Sequence, residues 1–125
     1  MNKCIYPFVD NADRPIIKFM GMDTLIDSGA EISVFNASQA VFELIFPFRS
    51  KQTYTIKGFG GDCSGTAYSV SRIEDDKIIM ENVPVFVPEA AMNDKYKLIL
   101  ATPAFRASGI NVSLDHVHDT VSFDW

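Results

Sequence analysis

Met22-Asp23-Thr24-Leu25-Ile26-Asp27-Ser28-Gly29-Ala30-Glu31-Ile32-Ser33-Val34-Phe35 is the stretch around which the chain is organised. The apolar pair Leu25-Ile26 leads into a carboxylate, a hydroxyl, a glycine and an alanine. A second apolar run follows, interrupted only by Glu31 and Ser33. The pattern predicts a strand, a tight turn on Asp27-Ser28-Gly29, and a strand leaving it. Gly29 is expected to give backbone freedom where a side chain would crowd the turn. A carboxylate between two buried strands is expensive unless it is hydrogen-bonded or has a chemical role, so Asp27 is the first candidate functional residue. An ordinary Asp-Ser-Gly turn is the plainer alternative.

Working outward, the 125 residues suit one domain, 1–125, large enough for one core. Apolar residues at 47% and charged residues at 22% place the chain among ordinary globular proteins. A net charge of −5 and a pI near 4.8 oppose nucleic acid or an anionic membrane as partner, since both reward a basic face. The N-terminus has no apolar stretch of signal-peptide length, and no segment is long enough to cross a bilayer. Cys4 and Cys63 lack metal-ligand or redox spacing, so free thiols in a reducing cytoplasm are expected.

The remaining pattern is mostly β. Strands are expected at 3–9, 16–20, 52–57, 66–73, 78–87 and 97–100, with a closing hairpin at 110–114 and 120–123. Asn36 or Ser38 is placed to cap a short helix that Pro47 closes, and Pro103 starts a second one that ends at Gly109. The run Val41-Phe42, Leu44-Ile45-Phe46 and Phe48 reads as core, with a partner groove as the alternative given ten phenylalanines. Gly58-Phe59-Gly60-Gly61-Asp62-Cys63-Ser64-Gly65 has a strand on either side and no Lys-Ser or Lys-Thr pair, which disfavours a phosphate loop and leaves a hairpin tip. Phe59 is its one large apolar residue. His116-Val117-His118, flanked by Asp115 and Asp119, has the composition of a metal pair but falls where a hairpin turn is expected, so turn residues are preferred. Glu74-Asp75-Asp76 reads as a solvated tip. The serines have no evident histidine partner for nucleophilic catalysis.

Leu25-Ile26-Asp27-Ser28-Gly29-Ala30-Glu31 resembles the active-site signature of the retropepsin-like aspartic proteases. Leu98-Ile99-Leu100-Ala101, followed by the helix and Gly109-Ile110, resembles the second signature of that family. Two positions depart from it: Ala101 stands where the family usually has Gly, and Thr102 where the retroviral enzymes tend to carry Arg. The similarity runs from about Ile16 to Phe123 by motif order.

The resemblance implies an all-β fold, a closed acid-protease barrel with a Gly-rich flap hairpin and a short C-terminal helix. It also implies a homodimeric aspartic endopeptidase acting on protein or peptide, without metal or organic cofactor. Asp27, Ser28 and Gly29 would be catalytic, one Asp27 from each subunit. Ala30 and Glu31 would meet the substrate backbone, and Gly58, Phe59, Gly60 and Gly61 would close over it. The resemblance places the chain termini in an intersubunit sheet, to which Ile5, Tyr6, Phe123 and Trp125 would bring apolar surface. A catalytically weak dimer of the same fold, serving as a peptide-binding module, is the alternative.

Overall fold

The computed structural model describes residues 2–10, 13–58, 61–90 and 96–125. The elements in order are β1 (Lys3–Pro7), β2 (Ile16–Phe19), β3 (Met22–Asp27), β4 (Ser33–Phe35), α1 (Gln39–Ile45) and β5 (Phe48–Gly58). They continue with β6 (Gly61–Asp75), β7 (Ile78–Pro88), β8 (Leu98–Ala101), α2 (Thr102–Ala107), β9 (Asn111–Asp115) and β10 (Thr120–Asp124). The protein is mostly β. No helix among the described residues is long and apolar enough to cross a membrane.

Seven strands pair in the order β2-β3-β8-β4-β7-β6-β5, and three more form a separate sheet, β1-β10-β9. The closed barrel expected from the sequence is not formed among the described residues, because no ladder joins β2 to β5. The core is built by strands whose patterning fits their place. Leu98, Ile99, Leu100 and Ala101 are all buried, as a central strand with neighbours on both sides requires. On β10 the alternation is strict, with Val121 and Phe123 fully buried between half-exposed neighbours.

Both helices start where the sequence places them. Ser38 Oγ accepts the Val41 N–H at 3.2 Å at the head of α1, and Pro103 lies in the first turn of α2. Only one side of α1 enters the core, however. Phe42 and Phe46 are buried among Phe35 and Tyr68, while Val41, Leu44 and Ile45 are exposed. A seven-residue helix lying on a sheet has one face to bury, so half of that apolar run is surface rather than core.

Three further features change the picture. The chain termini pair with each other: Lys3 to Pro7 are in register with Asp124 to Thr120, and Asn2 and Trp125 exchange backbone hydrogen bonds of 2.7 and 3.1 Å. Phe123 is fully buried and Tyr6 half-buried, so of the residues expected at an intersubunit sheet only Ile5 is exposed. Asp75 is no solvated tip. Its Oδ2 accepts the Tyr6 hydroxyl at 2.6 Å and its Oδ1 the Met20 N–H at 2.8 Å, tying β6 to β1 and to the β2–β3 turn. That turn holds Met20 and Gly21 at φ of 54° and 76°, the paired positive values of a tight two-residue hairpin.

The third change concerns the glycine-rich stretch. Residues 61–65 belong to β6, where Gly65 pairs with Tyr54 on one side and Pro88 on the other. A Cβ at Gly65 would lie 2.3 Å from the Val87 carbonyl oxygen and 2.8 Å from Pro88 Cα. This glycine permits two backbones to approach; it does not loosen a tip.

Candidate active site

Asp27 is the last residue of β3, at the point where the strand leaves the sheet. Leu25 and Ile26 before it are buried, and the Asp27 side chain is half-buried. Its Oδ1 accepts the Gly29 N–H at 2.9 Å, which folds the loop back on the carboxylate. Among the described residues this is the carboxylate's one hydrogen bond, made by Oδ1 and not Oδ2. Ser28 and Gly29 are exposed, Ala30 is half-buried and Glu31 exposed. Gly29 has an ordinary negative-φ or extended backbone, and a Cβ there would meet only Asp27 Oδ1, at 3.5 Å. Nothing within one chain therefore demands glycine at this position, contrary to the crowded turn expected from the sequence.

The strand leaving the loop, β4, does not pair with β3. β8 lies between them, parallel to β3 and antiparallel to β4. Asp27 is in register with Ala101, the last residue of β8. The two sequence signatures, more than seventy positions apart, thus meet at one point in the fold. Buried Ser33, at the start of β4, accepts the Ala101 N–H on its Oγ at 3.0 Å. Sequence reading missed Ser33; the only signal was a polar residue inside an apolar run. Ala101 lines a small cavity of about 120 Å³ with Ile32, Ser33, Val83 and Ala104, so the residue that departs from glycine has space beside it.

Two larger clefts flank the Asp27 loop. In one, of about 730 Å³, Ala30, Glu31 and Ile32 face Tyr54, Thr55, Ile56 and Lys57 of β5, with Pro84 of β7 as floor. The β5–β6 hairpin therefore stands across from the residues expected to meet substrate. Gly58 and Gly61 form its last pair, while Phe59 and Gly60 lie outside the described residues. The second cleft, of about 620 Å³, is bounded by Ser28, Thr102 and Arg106 on one side and residues 109–113 on the other. Thr102 and Arg106, one helical turn apart, share this face of α2.

The histidines take no part in this arrangement. Asp115 Oδ1 accepts the N–H groups of Val117 and His118, both at 3.0 Å, and Oδ2 lies 2.7 Å from His118 Nδ1. These bonds hold the Asp115 carboxyl below its usual pKa, the His118 side chain contributing most. They are the contacts of a hairpin turn. Among the described residues no group of three or more His, Cys, Asp or Glu is disposed to hold a metal. Cys4 and Cys63 are free thiols.

No protein-family model, curated protein or solved structure matches the chain.

Proposed function

We propose that two copies of this chain form a retropepsin-like aspartic endopeptidase, with Asp27 of each copy as the catalytic dyad. The observation that carries this reading is the meeting of Asp27 with Ala101: β8 is laid between β3 and β4, so the second apolar signature abuts the first. That is the relation the resemblance implies for the catalytic loop.

The mechanism follows from charge. Two carboxylates a few Å apart cannot both ionise, so the pair holds one proton between them. The ionised member takes a proton from a water between them, and the water oxygen attacks the peptide carbonyl. The protonated member then gives its proton to the departing amine. One chain carries a single Asp-Ser-Gly motif, and one carboxylate cannot act as base and acid in the same step. Substrate lies extended in the 730 Å³ cleft, between Ala30-Glu31 and β5, and closure of the Gly58–Gly61 hairpin excludes water. Ser28 faces the other cleft, where its hydroxyl serves contacts between the two loops.

The long exposed course of β5, an edge strand, favours a second reading in which the cleft holds an extended chain by strand addition without cutting it. Cleavage profiling on a diverse peptide library separates the two. Wild type should cut a defined set of peptides and Asp27→Asn none; retention of bound but intact peptides by wild type would establish the binding module instead.

A further inference from the structure

The 120 Å³ cavity beside Ala101 lies between β7 and α2, next to the substrate cleft. We propose that it is a pocket for a lysine side chain of the substrate, with the aliphatic stem along its apolar wall and the ammonium at Glu81. This inference rests on the protease reading, which lays the peptide in the 730 Å³ cleft.

The cavity opens at two ends. Glu31, Ile32 and Pro84 line both it and the 730 Å³ cleft, so a side chain of a peptide in that cleft enters between them. At the other end Glu81, Asn82 and Ala107 also border an outer depression of about 340 Å³. That end reaches water, where an ammonium keeps part of its hydration while its stem is covered.

The wall selects shape. Ala104 and Ala107, three positions apart on α2, line the cavity from one helix face, and with Ala101 their short side chains leave its space open. A volume of about 120 Å³ is less than the roughly 150 Å³ of a cavity that admits benzene. An unbranched four-carbon stem suits it better than an aromatic ring.

Charge selects the head group. β7 changes face at Asn82, whose φ is 55°: Ile78 and Met80 are buried before it, Val83, Val85 and Val87 after it. Glu81 and Asn82 are left exposed together at the outer end. Arg72, opposite Glu81 in register, pairs instead with Glu74 at 3.0 Å. No ion pair among the described residues includes Glu81 or Glu31, and no cation lines the cavity. A carboxylate at each end of an apolar passage favours a cation on an apolar stem.

The test compares peptides carrying lysine or its uncharged counterpart norleucine at each position around the cut. Wild type should prefer lysine about fivefold in kcat/KM at one position, the scale of a solvent-exposed ion pair. Glu81→Gln, an exposed change on β7, should abolish that preference and leave the norleucine peptide cut as before. Ala104→Leu, which fills the cavity, should weaken both peptides at that position. The same peptides are titrated by fluorescence anisotropy against Asp27→Asn, with and without Glu81→Gln, so that the pocket is read without cleavage. Peptides cut with no lysine preference, or with one that survives Glu81→Gln, overturn the pocket and leave the protease reading intact. Lysine-dependent binding that Glu81→Gln removes, in a protein whose wild type cuts nothing, supports the pocket and overturns the protease reading. Peptides neither bound nor cut overturn both.

Discussion

The N–H of Ala101 donates to Ser33 Oγ at 3.0 Å, and Ala101 is itself the register partner of Asp27. One buried hydroxyl thus joins the end of β8 to the start of β4 directly behind the candidate catalytic loop. Ser33→Ala leaves a buried N–H without a partner, a loss of about 1–3 kcal/mol. Urea unfolding should show that cost, and peptide turnover should fall further than stability alone explains, because the loop carrying Asp27 loses its anchor. Unchanged turnover by a destabilised but folded variant would show that this bond supports the fold alone.

Gly65 gives a sharper stability prediction. A methyl there meets the Val87 carbonyl at 2.3 Å, and backbone cannot step aside as a side chain can. Gly65→Ala should cost at least about 1–3 kcal/mol and lower the thermal midpoint. A variant as stable as wild type would mean that β6 and β7 are not so closely spaced.

Tyr6 predicts an alkaline limb in the stability profile. Burial, then the hydrogen bond to Asp75, pushes its phenol well above the usual value of 10.0. As pH rises past about 10 the unfolded chain loses this proton while the folded chain keeps it, so stability held below that pH declines above it. Tyr68, also raised by burial, acts in the same direction. Tyr6→Phe should cost about 1.5–3 kcal/mol at neutral pH, the value of a hydrogen bond to a charged group, and should flatten the decline above pH 10. Denaturant titrations at pH 7 and 10.5 on both proteins check the sign. A slope as steep in Tyr6→Phe as in wild type would assign the limb to other groups.

These residues mark how far sequence reading reaches. The β3–loop–β4 unit, both helices and the closing hairpin were legible because periodicity, a capping Ser38, an early Pro103 and a terminating Gly109 are local signals. Asp27 stood out because a carboxylate after buried Leu25-Ile26 is costly. Gly65 was misread because its constraint comes from Val87, twenty-two positions away, and the sequence around it looks like any glycine-rich tip. Asp75 was misread for the same reason, since its partners Tyr6 and Met20 come from the far end of the chain. The exposed side of α1 and the pairing of the two termini depend on which face each element turns to its neighbours, which composition does not record. Strand order carries no local mark either: the open order of the seven-stranded sheet follows from long-range pairing alone.

The central claim is that one active site needs two copies of Asp27. Wild type refolded together with a ninefold excess of Asp27→Asn tests it most directly. If the dyad is shared and chains pair at random, about one wild-type chain in ten finds a wild-type partner, so activity per wild-type chain should fall to about a tenth. Activity per wild-type chain that stays constant across the mixing series, with sedimentation confirming mixed dimers, would contradict the shared dyad.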